Sequence, residues 1–151
     1  MNILLLDDDL RILRFLQRGL EAESHTVATA TSHSQGWELL LTGEFDLAIL
    51  DVFLGAENGL DFCRKLRQHQ HTIPVLMMTA KDSPEMFLES QEAGANGYLP
   101  KPFAFDDLVA NVEKLTSQSP PPSPSFFSGV PGFAMTLNNF CGGLLFLNWI
   151  V

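Results

Sequence analysis

The stretch Ile3-Leu-Leu-Leu-Asp-Asp-Asp9 joins four consecutive apolar residues to three consecutive acids. A short, unbroken apolar run is typical of a parallel strand that helices cover on both faces. The acids that follow it cannot be buried without partners, so they mark the end of the strand. This segment therefore predicts a buried strand with acidic groups at its carboxyl end.

Other short segments repeat this pattern along the chain. Residues 47–50 (Leu-Ala-Ile-Leu) precede Asp51, and Val75-Leu-Met-Met78 precedes Thr79. Weaker strand signals lie at His25–Ala30 and at Gly97-Tyr-Leu99. The sequence therefore predicts five strands.

Segments with helical period separate these strands. The first three helices are indicated by apolar side chains spaced along the chain: Leu10, Leu13, Leu16 and Leu20, then Trp37, Leu40 and Leu41, then Leu60, Cys63 and Leu66. The fourth begins at Ser83-Pro84-Glu85, an N-cap followed by proline and an acid, and ends at Gly94. The fifth is predicted to begin near Asp106-Asp107.

Strands that alternate with helices imply right-handed crossovers and an open parallel sheet. The fold class predicted is therefore α/β, a flavodoxin-like doubly wound (βα)5 domain with strand order 2-1-3-4-5. In this order the ligand crevice lies beyond the carboxyl ends of the first and third strands.

The charge of the chain is strongly acidic and unevenly distributed. The 151 residues contain 9 Lys and Arg against 18 Asp and Glu, for a net charge of −9, and 46% of the residues are apolar. The apolar fraction supports a packed core. The negative charge argues against direct nucleic-acid binding and favours a metal cation as the charged partner.

Composition also predicts the domain organisation. Lys114 is the last charged residue, and a Pro/Ser-rich segment follows it. We expect a domain over 1–116, a linker over 117–125 and an uncharged apolar tail over 126–151 that matches no recognised domain.

No apolar run reaches the roughly 20 residues of a membrane span. Two cysteines and the absence of a basic leader predict a reduced, cytoplasmic protein.

Polar side chains follow four of the predicted strands. Asp7, Asp8 and Asp9 follow the first strand, Asp51 ends the third, Thr79 ends the fourth and Lys101 follows the fifth. Because parallel strands end at one edge of the sheet, we expect these side chains to converge in the crevice.

This set of residue types suits metal-assisted phosphoryl transfer. Carboxylates gathered at one place repel each other and need a cation, and ligation by oxygen alone suits Mg²⁺. A carboxylate can attack phosphorus while a metal and a lysine neutralise charge. We therefore predict Asp51 as the nucleophile, Lys101 as the fixed positive charge and Thr79 as a hydrogen-bond donor to the phosphoryl group.

The chain resembles a receiver domain of a two-component response regulator over residues 2 to about 116. The segments that carry the resemblance are Ile3 to Asp9, Asp46-Leu-Ala-Ile-Leu-Asp51, Pro74-Val-Leu-Met-Met-Thr-Ala80, Gly94-Ala-Asn-Gly-Tyr-Leu-Pro-Lys-Pro-Phe103 and the helix start at Asp106-Asp107-Leu108. The loop after Asp51 departs from the family pattern: Gly55-Ala-Glu-Asn-Gly59 stands where a Pro-Gly pair is common. We expect this loop to be flexible.

The resemblance implies a role for each matching residue. Asp7 and Asp8 are the acidic pair that holds Mg²⁺, and Asp51 is both the phosphoacceptor and a metal ligand. The backbone carbonyl of Phe53 is a further metal ligand. Thr79 is the switch hydroxyl, Tyr98 is the switch aromatic, and Lys101 precedes a proline, Pro102, whose peptide bond is typically cis.

The implied function is phosphorelay signalling. A sensor histidine kinase phosphorylates Asp51 and docks on the first helix, with Leu10, Arg11, Arg14 and Phe15 as exposed candidates. Phosphorylation switches the face formed by the fourth helix, the fifth strand and the fifth helix, and the resemblance leaves open a homodimer through that face. Such a domain phosphorylates and dephosphorylates itself and is not a conventional enzyme.

Output and alternatives are less constrained. The resemblance extends to receivers that precede a winged-helix DNA-binding domain, so we expect a transcriptional regulator that lacks its output domain. The tail is then a truncated or frame-altered end, a partner-docking segment or an interfacial segment.

A stand-alone phosphoryl shuttle is the main alternative. A phosphatase with an aspartyl-phosphate intermediate is disfavoured, because Phe53 occupies the position of its second acid. A nucleotide-binding module is disfavoured because three acids follow the first strand.

Overall fold

The computed structural model describes residues 1–117 and two short strands, Met135–Leu137 and Leu147–Trp149, which pair antiparallel. The chain divides into two compact units, Met1–Gln118 and Ser119–Val151. Apart from Ser117 and those two strands, the predicted linker and tail lie outside the described residues.

The first unit contains a five-stranded sheet in which every neighbouring pair is parallel. Its strands are β1 (Asn2–Leu6), β2 (Thr26–Ala30), β3 (Leu47–Asp51), β4 (Val75–Thr79) and β5 (Gly97–Pro100). Their order across the sheet is 2-1-3-4-5. The predicted flavodoxin-like fold and strand order are confirmed.

Five helices connect and cover the strands: α1 (Leu10–Ala22), α2 (His33–Thr42), α3 (Gly59–Gln68), α4 (Pro84–Ala93) and α5 (Phe105–Ser117). The fifth begins at Phe105, one residue before the predicted start. Within the described part of the chain, these helices are too short or too polar to cross a membrane.

Alternate residues of β1 enter two separate cores. Leu4 and Leu6 pack with side chains of α2, α3 and α4, whereas Ile3 and Leu5 pack with side chains of α1 and α5. Successive side chains of a strand point to opposite faces of the sheet. Helices on both faces therefore require an unbroken apolar strand, as the quoted stretch has.

The sequence signals for helix ends correspond to observed caps. The Ser83 hydroxyl accepts a hydrogen bond from the Met86 amide at 3.1 Å, and Gly94 ends α4 in the left-handed region with φ 102°. Two residues of the predicted apolar periodicities are exposed. Leu10, at the start of α1, is 55% exposed, and Leu41 is 71% exposed because the buried stripe of α2 runs through Leu40 instead.

The loop after β3 forms a short hairpin. Phe53–Leu54 pairs antiparallel with Glu57–Asn58, and Gly55 turns the chain with φ 64°. Glycine adopts this conformation without the steric cost that a Cβ imposes. We call residues 53–58 the β3–α3 hairpin; the flexibility expected from the sequence stays a prediction.

Candidate functional site

Three carboxylates meet where β1 and β3 end. Ligand oxygens of Asp7, Asp8 and Asp51 all lie within 4.8 Å of one another, with Asp7 and Asp51 buried and Asp8 exposed. The two strands are adjacent, and Leu6 pairs in register with Leu50, so the residues that follow emerge side by side. The predicted convergence at this edge of the sheet is therefore present for Asp7, Asp8 and Asp51.

Lys101 completes this cluster from the end of β5. Its Nζ donates to Asp7 Oδ2 at 2.9 Å and to Asp51 Oδ2 at 3.1 Å. Burial by itself lowers the pKa of Lys101, but the hydrogen bond to Asp7 and the charges of both carboxylates outweigh it, so the net shift is upward. The peptide bond to Pro102 is cis, as the resemblance implies.

The Asp51 carboxyl group titrates unusually high. Burial, followed by the charge of Asp7, raises its pKa from 3.8 to about 6, and Lys101 opposes that rise. The Phe53 amide also donates to Asp51 Oδ1 at 3.3 Å. A group with this pKa is mostly ionised at neutral pH, so Asp51 can act as a nucleophile there.

The third acid of the opening run has a different role. Asp9 is the N-cap of α1, and its Oδ1 accepts a hydrogen bond from the Arg11 amide at 2.8 Å. The side-chain hydrogen bond from Arg11 is the main reason that its pKa falls to about 2. Asp9 therefore anchors the helix, while Asp7 and Asp8 face the crevice.

This donor set fits a magnesium ion. Three carboxylates face a single ammonium group, so the cluster keeps excess negative charge. All of its donors are oxygens, which are the ligands that Mg²⁺ prefers. The fourth predicted ligand, the carbonyl of Phe53, belongs to the β3–α3 hairpin two residues after Asp51. Its role stays a prediction.

Thr79 ends β4 and is fully buried. Its hydroxyl accepts a hydrogen bond from the Lys81 amide at 3.0 Å and donates to the Lys81 carbonyl at 3.2 Å. The hydroxyl is thus bound to the first turn of the β4–α4 loop. The strand that Thr79 ends is adjacent to β3, but the Thr79 hydroxyl makes its hydrogen bonds to Lys81 and not to the acidic cluster.

Tyr98 lies outside the acidic cluster and contacts the same loop. Its hydroxyl donates to Asp82 Oδ1 at 3.2 Å, and its ring packs edge-on against Phe87 with centroids 5.4 Å apart. Burial, then the hydrogen bond to Asp82, raises the pKa of Tyr98. The two predicted switch residues are therefore connected through residues 81–82.

Sequence reasoning missed two residues that shape the site. A Cβ at Gly59 would overlap the carbonyl oxygen of Asp51, so only glycine allows α3 to begin this close to β3. Its position eight residues after Asp51 could have drawn attention to it. Asp82, the partner of Tyr98, had no sequence signal, since the two residues are 16 positions apart.

Known proteins resemble this chain in sequence and in fold. A family model described as the response regulator receiver domain matches residues 3–113. Response regulator RppA from a Synechocystis species is 37% identical over 142 residues, which cover 93% of this chain and 57% of RppA. The transcriptional regulatory protein CusR from Escherichia coli K12 is 37% identical over 115 residues, 76% of this chain and 51% of CusR.

A solved structure gives the same result for the fold. The non-phosphorylated HemR receiver domain from Leptospira biflexa superposes with a TM-score of 0.75 at 30% identity, covering 81% of this chain and 98% of that domain. This chain spans about half the length of the curated relatives that it matches.

Proposed function

This chain belongs to the response regulator receiver domain family, a signalling module of two-component systems, and on that basis we propose that Asp51 accepts a phosphoryl group from a histidine kinase. The observation that carries the proposal is the contact of one lysine, Lys101, with both Asp7 and Asp51. That contact supports the roles that we propose, Asp51 as the nucleophile, Asp7 as a metal-binding acid and Lys101 as the fixed positive charge.

The transfer begins with attack of an Asp51 carboxylate oxygen on phosphorus, in line with the leaving nitrogen of a phosphohistidine. A P–O bond forms as the P–N bond breaks. The electron pair of that bond stays on the imidazole nitrogen, which takes up a proton. Lys101 offsets the charge that develops on the phosphoryl oxygens.

Asp7, Asp8 and Asp51 would hold Mg²⁺, with the carbonyl of Phe53 as a further ligand. When bound, the ion neutralises charge on the carboxylates and on the phosphoryl oxygens. Exposed Asp8 leaves one side of the cluster open to water and to the phosphodonor.

We propose Thr79 and Tyr98 as the switch residues. A phosphoryl group on Asp51 adds roughly −1.5 to −2 charges at the end of β3. Thr79, on the adjacent strand, would then exchange its hydrogen bonds to Lys81 for one to the phosphoryl group. The Tyr98 hydroxyl is hydrogen-bonded to Asp82 in the same loop, so the movement of Thr79 and Lys81 would change the face formed by α4, β5 and α5.

Two surfaces are proposed for partners. Leu10, Arg11, Arg14 and Phe15 are all exposed on α1 and would meet the kinase. Phe87 and Leu88 are exposed on α4, and we propose the α4–β5–α5 face for a homodimer. We propose that kinase docking and dimerisation both take place in the cytoplasm.

The site is proposed to act as a switch rather than as a conventional enzyme that hydrolyses external substrates. An aspartyl-phosphate phosphatase places a second acid two residues after its nucleophile. Here that position is Phe53, whose exposed ring has no group that could transfer a proton.

We further propose the organisation predicted from the sequence, a receiver over 1–116, a linker over 117–125 and a tail over 126–151, except that Ser117 is the last residue of α5 and so belongs to the receiver. Transcriptional output is proposed from the likeness to CusR, with no direct nucleic-acid contact made by these residues. Removal of residues 118–151, after the end of α5, should leave folding and phosphorylation unchanged. Loss of either would show that the tail belongs to the receiver.

The central experiment is incubation with acetyl phosphate and Mg²⁺, followed by intact-mass analysis. The wild-type protein should gain one phosphoryl group, and Asp51→Ala should gain none. Asp8→Ala should weaken Mg²⁺ binding measured by calorimetry. Equal phosphate incorporation by the wild type and Asp51→Ala would show that the acceptor is another residue.

A further inference from the structure

His33, the first residue of α2, makes three polar contacts with the β3–α3 hairpin. Its backbone amide donates to Glu57 Oε1 at 3.1 Å, and its Nδ1 lies 3.4 Å from Glu57 Oε2. Its Nε2 lies 3.0 Å from the carbonyl oxygen of Asn58. We call this set of contacts the His33–Glu57 clamp.

Donors and acceptors are matched in the contacts of the His33 amide with Glu57 and of Nε2 with Asn58. The Asn58 carbonyl can only accept, so the facing Nε2 carries a proton, and Nδ1 donates to Glu57 only when the ring carries a proton on both nitrogens. The Glu57 carboxylate lies at the N-terminus of a ten-residue helix, where a negative charge is stabilised by the helix dipole. The His33 ring also packs against Phe62 of α3, with centroids 5.3 Å apart. Apolar and polar contacts therefore fix the same side chain.

These contacts hold the segment that follows Asp51. Within the hairpin, Leu54 pairs with Glu57 and Phe53 pairs with Asn58, so a restraint on the second strand is passed to the first. The first strand contains Phe53, whose amide donates to Asp51 Oδ1. Two strands of two residues each have little stability of their own, so the hairpin depends on outside contacts.

The opposite end of the hairpin is fixed by α3 instead. The Asn58 side chain accepts a hydrogen bond from the Leu60 amide at 2.8 Å, and Gly59 packs against the Asp51 carbonyl. Gly55 and Ala56, at the tip, are exposed. The clamp thus ties the second strand of the hairpin, Glu57–Asn58, to α2.

We propose that His33 and Glu57 are positioning residues for phosphoryl acceptance: they hold the β3–α3 hairpin so that the Phe53 backbone stays beside the Asp51 carboxylate. This inference rests on the proposed function of Asp51. The side chains of the pair need not touch the metal or the phosphoryl group, because they act through the hairpin backbone.

The first measurement is amide hydrogen exchange by NMR in the metal-free protein. His33→Ala and Glu57→Ala should speed exchange at the hairpin amides by about three- to ten-fold, the factor expected for loss of one hydrogen bond. Exchange in the centre of β3 should be unchanged. Glu57→Gln, which keeps an oxygen that can accept from the His33 amide, should have an intermediate effect.

The second measurement is the rate of phosphorylation by acetyl phosphate as a function of Mg²⁺ concentration. Each alanine variant should raise the Mg²⁺ concentration at half-maximal rate by about three- to ten-fold and leave the maximal rate near that of the wild type. The double variant should be worse than either single variant but by less than the sum of the two effects, because the contact of His33 Nδ1 with Glu57 is lost in both single variants.

Asp61→Ala is the matched control. It removes another acid–base pair, the more exposed pair of Asp61 with Arg64 at 2.7 Å, from the neighbouring helix α3. Hairpin exchange and Mg²⁺ dependence should both stay at wild-type values.

The outcomes separate the two proposals. If the clamp variants keep wild-type exchange and wild-type Mg²⁺ dependence while Asp51→Ala is inactive, the clamp has no positioning role and the function of Asp51 stands. If the wild type takes up no phosphate that depends on Asp51, the proposed function fails, and the clamp proposal fails with it.

Discussion

Nζ of Lys101 lies 3.1 Å from Oδ2 of Asp51, although the two residues are 50 positions apart in the sequence. They meet because β3 and β5 run parallel on either side of β4 and end at the same edge of the sheet. Asp7 joins them from β1, so one ammonium group lies between two buried carboxylates.

Replacement of this lysine should destabilise the metal-free fold. Lys101→Met leaves Asp7 and Asp51 buried and mutually repelling, and we expect a loss of about 3 kcal/mol in the free energy of unfolding, the cost typical of a broken buried pair. Urea unfolding in EDTA measures this loss. Mg²⁺ should recover part of it, because the ion supplies the missing positive charge.

Lys81→Met is the control for that experiment. Lys81 is exposed and close in sequence to Thr79, the proposed switch residue. Its replacement should change the free energy of unfolding by less than about 0.5 kcal/mol. Equal effects of the two substitutions would contradict a structural role for the Lys101 contacts.

The raised pKa of Asp51 predicts a pH dependence of stability without metal. The folded pKa, about 6, lies above the ordinary value of 3.8, so the folded protein binds the proton more tightly than the unfolded chain does. Stability should therefore fall as pH rises through this window, by about 2 kcal/mol between about pH 4.5 and pH 7.

Asp51→Asn isolates this contribution. Urea unfolding of the wild type and the variant in EDTA, across the same pH range, should give a difference that grows with pH in favour of the variant. A constant difference would mean that burial and Asp7 do not perturb the Asp51 carboxyl group.

The close approach of α3 to β3 predicts that Gly59 cannot be replaced. An added Cβ would lie 3.0 Å from the carbonyl carbon of Asp51 and even closer to its oxygen, so the helix start must shift. We expect Gly59→Ala to lower the free energy of unfolding by about 2 kcal/mol and to slow phosphorylation.

Gly43→Ala provides the comparison for this substitution. The Cβ there would be 3.4 Å from its nearest neighbour, the Leu39 carbonyl oxygen, and φ is −139°, which any residue adopts. Unfolding and phosphorylation of this variant should match the wild type. If Gly59→Ala matches it too, the Asp51 backbone has more room than the packing indicates.

The hydrogen bond from Tyr98 to Asp82 can be tested directly, because Tyr98 is the only tyrosine of the chain. Asp82→Ala removes a carboxylate that raises the Tyr98 pKa, so the phenol should titrate at lower pH in an ultraviolet absorbance titration. A residual upward shift should persist, since burial is the larger cause. Glu89→Ala, elsewhere on α4, should leave the titration unchanged.

The five-stranded fold was predictable because its three central strands are buried on both faces. That burial requires unbroken apolar runs, and Ile3–Leu6, Leu47–Leu50 and Val75–Met78 are such runs. Helix ends at Ser83 and Gly94 were predictable for a similar reason, because caps depend on the local backbone alone. The exposure of Leu41 was not, because it depends on how α2 is rotated against the sheet.

Residue type and strand order together predicted the convergence of Asp7, Asp51 and Lys101. The division of labour within the acidic run was not predictable. Asp9 caps α1 whereas Asp7 binds Lys101. A run of three aspartates contains no local signal that distinguishes these roles. Only the direction in which the chain leaves β1 assigns each carboxylate to the helix or to the crevice.

The sequence alone therefore determined the order of strands and helices and the residues at the ends of the strands, because these follow from periodicity and from burial on two faces. The tertiary structure decided the contacts between loops: Tyr98 with Asp82, Gly59 with Asp51, and His33 with Glu57 across 24 positions. Such contacts join side chains and backbone from separate connections of the sheet. Their geometry depends on how every intervening element packs, which no local pattern records.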